Sequence, residues 1–420
     1  MAMIKNFEKT AKIPTDWIFS ELKSVVDINP ESHDPSQNSD EKFSYIDIDS
    51  VENGSGVITA VKEIFGKNAP SRARRIVRTD DVIMSEVRPY LKAFALIPKK
   101  LNNQICSTGF AVLRGKGEVD PKYLLNTLFS DAVIEQCNRM MVGAQYPALN
   151  DSQVKKIQIL LPPLPEQRRI ATILTTVDDA IQRSRQAIAE TERLKVGVMH
   201  ELMTKGIGHT EFREDTYIGR IPKEWDVKQL DEVCPIIVDC PHSTPVFREN
   251  GIPVIRTTNV RNGELILDPP SYVSESEYRE RISRCEPSEN DILFSREAPV
   301  GEACLVPPRT RLCLGQRMML LRSDPLLVDA YFLVNILYQN EIRNKMFSLS
   351  GGATAKHLNV ADVKLLKIPI PSLAEQKKIA AIIRGLAQKR SLQCQRTTHY
   401  EKLKQGLMNE LLTGRRRVKI

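Results

Sequence analysis

The sequence repeats itself at a nearly constant spacing, and this limits the fold more than any other feature. Ile13-Pro14-Thr15-Asp16-Trp17 returns as Ile221-Pro222-Lys223-Glu224-Trp225, which puts the two tryptophans 208 residues apart. Tyr45-Ile46 through Asn53-Gly54 returns as Val254-Ile255 through Asn262-Gly263, at an offset of 209. Asp81 to Ser85, with Pro89, returns as Asp291 to Ser295, with Pro299, at 210. Gly143-Ala144 and Leu149-Asn150 return as Gly352-Ala353 and Leu358-Asn359, at 209. Glu166-Gln167 and Ile170-Ala171 return as Glu375-Gln376 and Ile379-Ala380, also at 209. A period this long is a tandem domain duplication and not a solenoid. The 420 residues are therefore expected to be two copies of one unit, a globular head followed by a long helix.

The helix is legible from spacing. Ile170, Leu174, Val177, Ile181, Ser184, Ile188, Thr191, Val198 and Leu202 fall at steps of three, four or seven, a heptad stripe. Pro165 suits a first turn, and Gly206 and Gly208 mark the stop. About 38 residues at this rise make a rod of roughly 57 Å. Ser372-Leu373-Ala374-Glu375 is a capping box that opens the second helix. The second stripe is Ile379, Ile383, Leu386, Arg390, Gln393, Thr397, Tyr400, Leu407 and Leu411. Its polar middle is either a register-setting patch or a more exposed stretch. Two copies of such a unit pair most simply by a twofold, which makes the rods antiparallel with a head at each end; a side-by-side parallel pair is the alternative.

The heads read as α+β. Phe43 to Val51 alternates apolar and polar and ends at the Asn53-Gly54 turn, and Val254 to Val260 does the same before Asn262-Gly263. Val82 to Met84 and Ile292 to Phe294 are short apolar strands, and Tyr123 to Cys137 and Tyr331 to Phe347 are amphipathic helices. The expected domains are head 1 over 1–159, helix 1 over 160–205, head 2 over 206–367 and helix 2 over 368–420.

At these residues the chain resembles the specificity (S) subunits of Type I restriction-modification enzymes, over essentially its whole length. The motifs that carry the resemblance are the two helix starts, Leu161 to Gln167 and Ile368 to Gln376, the two Ile-Pro-x-x-Trp segments, and the paired Asp81 to Ser85 and Asp291 to Ser295 strands. The resemblance implies two target recognition domains, each reading one half of a split, asymmetric site in double-stranded DNA. It implies an antiparallel helical spacer that sets the gap and carries two methyltransferase (M) subunits, with restriction (R) subunits joining in the full complex. It implies no catalysis and no cofactor in this chain, S-adenosylmethionine belonging to the M subunit, and a cytoplasmic location. The spacer and partner-binding set would be Ile170, Leu174, Val177, Ile181, Ile188, Ile379, Ile383, Leu386, Tyr400 and Leu407. The alternatives are a coiled-coil adaptor that does not touch DNA, or the specificity subunit of a related methyltransferase-nuclease without a separate R subunit.

Two readers on one scaffold should share a frame and differ in polar content, and the repeat shows where they differ. Asp47 aligns with Arg256, and Asp49-Ser50 with Thr258-Asn259. Glu86-Val87-Arg88 aligns with Arg296-Glu297-Ala298, and Gln145-Tyr146-Pro147-Ala148 with Thr354-Ala355-Lys356-His357. Arg, Lys, Asn and Gln have the donor geometry that suits base edges in the major groove. Arg88, Gln145, Arg256, Asn259, Arg296, Lys356 and His357 are therefore the base-contact candidates, with Tyr90, Lys92, Tyr146, Thr258, Arg317 and Thr354 completing the DNA-contacting set. Arg72, Arg74 and Arg75, with Arg78, form a basic cluster suited to phosphates, and Arg279, Arg281 and Arg284 hold a comparable place in head 2. Arg415-Arg416-Arg417 reads as a solvated tail.

Composition sets outer bounds. A net charge of +8 and a pI near 9.0 favour a polyanionic partner only weakly. No apolar run approaches the roughly 18 residues of a membrane span, and Lys5, Glu8, Lys9 and Lys12 interrupt any signal peptide. The eight cysteines form no CxxC pair and the six histidines show no metal spacing, so reduced, mostly buried cysteines are expected. Asp268-Pro269-Pro270-Ser271 has Ser where an amino-methyltransferase has the aromatic that stacks on a flipped base, and reads as a turn. No phosphate-binding GxxxxGK[ST] loop is present.

Overall fold

The computed structural model describes residues 13–143, 145, 147–350 and 357–419. It divides into two units, Met1–Gln186 with Cys394–Ile420, and Ala187–Gln393. We call them unit 1 and unit 2. Each unit contains one head and a portion of both long helices.

The first long helix is Leu164–Lys205 and the second is Leu373–Leu411. Within unit 1, Asp178 pairs with Lys404 at 2.6 Å and Ser184 with Thr397 at 2.7 Å, so numbering rises along one segment as it falls along the other. Within unit 2, Glu192 pairs with Arg390 at 2.8 Å and the Ile207 N–H donates to the Glu375 carboxylate at 2.8 Å. Both pairs of segments are antiparallel. Ile170, Leu174, Ile181, Ile379 and Ile383 are buried, while Val177, Ile188, Leu386, Tyr400 and Leu407 are half-buried. Thr397 is buried and bonded across to Ser184, so the polar middle of the second stripe is part of the packed seam.

Head 1 is built on two four-stranded sheets. One runs Val26–Ile28, Phe110–Gly115, Val82–Ser85, Phe94–Leu96, all antiparallel. The other runs Lys62–Phe65, Lys42–Ile46, Gln104–Ser107, Ala73–Val77, with one parallel pairing between Lys42–Ile46 and Gln104–Ser107. Head 2 repeats the first sheet as Ile236–Asp239, Met318–Arg322, Ile292–Ser295, Ala303–Leu305. Its second sheet is cut to Tyr272–Val273, Ile252–Ile255 and Cys313–Leu314. Val82–Ser85 and Ile292–Ser295 are buried at every position, which is why they read as continuous apolar runs and not as alternating ones. One core in each unit unites head and helices: Trp17, Tyr123 and Phe129 with Leu174, Met408 and Leu411 in unit 1, and Trp225, Phe332 and Met346 with Met203, Ile379 and Ile383 in unit 2.

Two sequence expectations need correction. The strands expected over Phe43 to Val51 and Val254 to Val260 stop early, because Asp47 caps a 3₁₀ turn at Ile48–Ser50 and Asn259 closes one at Thr257–Asn259. The helices expected over Tyr123 to Cys137 and Tyr331 to Phe347 are each two, Pro121–Leu128 with Asp131–Met140 and Ala330–Ile336 with Asn340–Leu349. At the first break Lys92 Nζ takes up the freed Phe129 carbonyl at 2.9 Å. At the second, the Tyr338 hydroxyl accepts the Gly263 and Ala303 N–H groups, both at 2.9 Å.

The repeated Glu-Gln pair welds each head to the start of a long helix. The Gln167 side chain donates to the Glu118 and Pro162 carbonyls and accepts the Asp120 N–H; Gln376 does the same with Leu327, Pro371 and Asp329. Glu166, with no exposed surface, accepts the Trp17 indole N–H at 3.1 Å and two bonds from Arg417 at 2.7 Å. Glu375 accepts the Trp225 indole N–H at 3.3 Å and meets His209 Nε2 at 3.0 Å. The tail expectation for Arg417 is therefore wrong: its guanidinium also grips Asp16, at 2.7 and 2.8 Å. Gly206 and Gly414, both at positive φ, turn the chain tightly beside these tryptophans, and a Cβ on Gly206 would stand 2.8 Å from the Trp225 ring.

Candidate nucleic-acid interface

The two windows of unmatched polar residues meet in space. In unit 1 the Leu149 N–H donates to the Glu86 carbonyl at 2.8 Å, the Arg88 N–H to the Pro147 carbonyl at 2.9 Å, and Val87 bridges Ala148. The Arg88 guanidinium donates to the Gln145 carbonyl at 3.1 Å. In unit 2 the Leu358 N–H donates to the Arg296 carbonyl at 2.8 Å, Glu297 bridges His357, and the Arg296 N–H donates to the Arg317 carbonyl. The same backbone relation thus carries Glu86 in one unit and Arg296 in the other. Tyr146, Thr354 and Lys356 lie outside the described residues.

Backbone strain gathers at the same place. Arg88 and Lys92 flank the single turn Pro89–Leu91, and both hold left-handed φ, as does Arg317. Such conformations cost of order 1–3 kcal/mol each in a side-chain-bearing residue and concentrate at functional sites. Tyr90, Gln145, Arg256, Thr258, Arg317 and Arg72 are exposed. Arg256 lies 5.2 Å from the Phe247 ring centroid, and Arg317 pairs with Glu297 at 2.9 Å.

Several sequence candidates are tied up within the chain. Asn259 is buried, donates to the Ile266 carbonyl and accepts the Arg256 N–H, and so shapes the 3₁₀ turn. Arg75 is held by Glu86 at 3.2 Å, Asp151 at 3.4 Å and the Phe110 carbonyl. Lys92 caps Phe129, Arg74 pairs with Asp34 at 3.3 Å, and Arg78 with Glu31 at 2.6 Å. In unit 2 Arg281 is buried against Glu277 and the Leu314 and Ser243 carbonyls, and Arg284 is paired with Asp239. Of that basic trio Arg279 and Arg284 are exposed, with Arg279 3.5 Å from Glu275.

Two acidic side chains lie beside these residues, Glu86 buried and Asp239 half-buried. Burial pushes the Glu86 carboxyl up to about 7, with Arg75 opposing the rise and Asp151 adding to it. In unit 2 Asp239 gathers Arg284, Arg296 at 3.4 Å and His242 at 3.1 Å. Among the described residues no group of three His, Cys, Asp or Glu could hold a metal ion, and no helix is long and apolar enough to cross a membrane.

The sequence profile of the Type I restriction modification DNA specificity domain matches residues 14–193 and again 222–398. The chain belongs to this family. It is a Type I specificity subunit with two target recognition domains, one per unit. The putative type I restriction enzyme MjaX specificity subunit of Methanocaldococcus jannaschii is 28% identical over 429 residues, covering 99% of this chain and 97% of the relative. The EcoKI specificity subunit of Escherichia coli is 28% identical over 173 residues, 39% of this chain and 36% of the relative. A chain solved in work on complex assembly and conformational transition of the type I R-M system superposes with a TM-score of 0.61 at 28% identity, covering 96% of this chain and 98% of that one. The S subunit from M. genitalium superposes at 0.59 with 14% identity, covering 96% of each chain, and shows likeness of fold.

Sequence reasoning missed the Trp-Glu-cation contacts of this specificity subunit. Their signal was present: Gly206 and His209 stand at an offset of 208 from Gly414 and Arg417. The repeat therefore extends beyond the helix ends, but a histidine facing an arginine across two copies does not register as a match.

Proposed function

We propose that the two recognition domains read the two different halves of one split target in double-stranded DNA, and that this chain is a non-catalytic subunit. The observation that carries this reading is the common backbone frame that presents Glu86 and Arg88 in unit 1 and Arg296 with His357 in unit 2. Arg88 and Gln145, and in the second unit Arg256, Arg296, Arg317 and Lys356, are the candidates for base contact, where guanidinium and amide donors match base edges. Arg72 is a candidate for phosphate contact. The paired helices space the domains and carry two methyltransferase subunits; those subunits bind S-adenosylmethionine, and restriction subunits complete the nuclease.

Footprinting tests this. The chain with its methyltransferase partner is expected to protect two short patches divided by an unprotected gap on the target located by methylation mapping. A single continuous patch, or none, rejects the reading.

A further inference from the structure

Beyond the Glu-Gln weld and the shared apolar core, each head touches its helices through an arginine that grips two carboxylates at once. In unit 1 Arg185 stands 2.8 Å from Glu401 of the facing helix and 3.5 Å from Glu52, next to the Asn53-Gly54 turn of the head. In unit 2 Arg390 stands 2.8 Å from Glu192 of the facing helix and 3.6 Å from Glu264, next to the Asn262-Gly263 turn. Glu192 and Glu401 are repeat equivalents, but nothing else in the contact is. The equivalent of Arg185 is Cys394, and that of Arg390 is Ile181. The equivalent of Glu52 is Arg261, and that of Glu264 is Ser55. The arginine has moved by four residues, one helical turn on the same face, and the carboxylate has crossed from one side of the Asn-Gly tip to the other. The same three-way contact is built twice from different residues. Drift after duplication would have dissolved it.

The placement gives the contact leverage. Gln167 fixes the head to the helix start, and Arg185 holds it 18 residues farther on, about 27 Å along the rod. In unit 2 the separation from Gln376 to Arg390 is 14 residues, about 21 Å. The weld and the shared apolar core hold the near part of the head, and a contact this far along the rod limits the tilt that remains. Base pairs rise about 3.4 Å each, so a small swivel moves a reading loop by one base pair.

We propose that Arg185 and Arg390 are positioning residues that set the angle of each recognition domain on its helix pair, and thereby the gap length the protein accepts. This rests on the two-half-site reading. The unit 1 pairs are exposed, and such pairs are individually weak, so their loss leaves the fold intact and widens the range of angles.

The test uses the full complex with its methyltransferase subunits, and duplexes carrying both half-sites at the native gap and at one base pair more or fewer. The variants are Glu52→Ala, Arg185→Ala, and the exchange Arg185→Glu with Glu401→Arg, which restores the helix-to-helix pair while repelling Glu52. All three should methylate the native-gap duplex as the wild type does, with an unchanged thermal midpoint. Methylation of the shifted-gap duplexes should rise about two- to fivefold relative to the native gap, with half-site identity unaltered. Wild-type discrimination in Glu52→Ala, or its restoration by the exchange, would overturn the proposal, as would a changed half-site. If the wild-type complex acts on a single ungapped site, the two-half-site reading itself fails.

Discussion

Glu166 and Arg417 lie 251 residues apart in sequence and are joined by two hydrogen bonds of 2.7 Å. The carboxylate is fully buried and also holds the Trp17 indole. Replacing it by Ala strands the indole N–H and opens a void at the helix start. Glu166→Ala should cost about 2–3 kcal/mol, seen as a lower thermal midpoint. Arg417→Ala should shift the midpoint in the same direction, and Arg415→Ala, at an exposed position, should not. Equal midpoints for all three would discount the contact.

The buried Glu86 predicts a pH dependence with a definite sign. Its carboxyl is pushed up to about 7 in the folded chain from an ordinary value of 4.5. Between these values the folded state holds a proton that the unfolded state has released. This contribution to stability is complete below about pH 4.5 and is lost as pH rises through about 7. Chemical denaturation at pH 5 and pH 8 should show a smaller pH difference for Glu86→Gln than for the wild type. The same difference in both would reject the assignment.

Arg88 and Arg296 occupy the same frame in different units, so their losses should separate. Arg88→Ala should relax one base position of one half-site, and Arg296→Ala one position of the other, at about 1–3 kcal/mol each. Methylation of duplexes substituted one position at a time measures this. A single variant that altered both half-sites would contradict independent reading.

Lengthening the helix should act on distance alone. Four residues inserted beside Ser184 are expected to change the accepted gap and leave both half-sites as they were. Altered half-sites with an unchanged gap would remove the spacer role.

Much of the architecture was legible because it rests on periodicity. The stripe from Ile170 to Ile181 and the offset near 209 survive loop changes, since both are repeated requirements for burial. The candidate site was legible only as two windows. Sequence alignment of the copies found the region of Glu86 and Gln145, but it could not tell an arginine facing solvent from one held inside. Arg72 and Arg75 are three residues apart; the first is exposed, and the second is clamped by Glu86 and Asp151. That distinction depends on partners 11 and 76 residues away, which no local pattern records. Asn259 was misjudged for a related reason: an amide that suits a base edge equally suits a neighbouring backbone carbonyl.

Unit 2 is one unbroken stretch of chain, Ala187–Gln393, whereas unit 1 joins Met1–Gln186 to Cys394–Ile420. During synthesis the second recognition domain therefore has its core, including Met203, Ile379 and Ile383, once residue 393 has left the ribosome. The first is made earlier yet stays open, with Glu166 and Trp17 waiting for Met408, Leu411 and Arg417 to emerge. The domain translated first is the one completed last, because Arg417 reaches Glu166 only after the whole second long helix has been made.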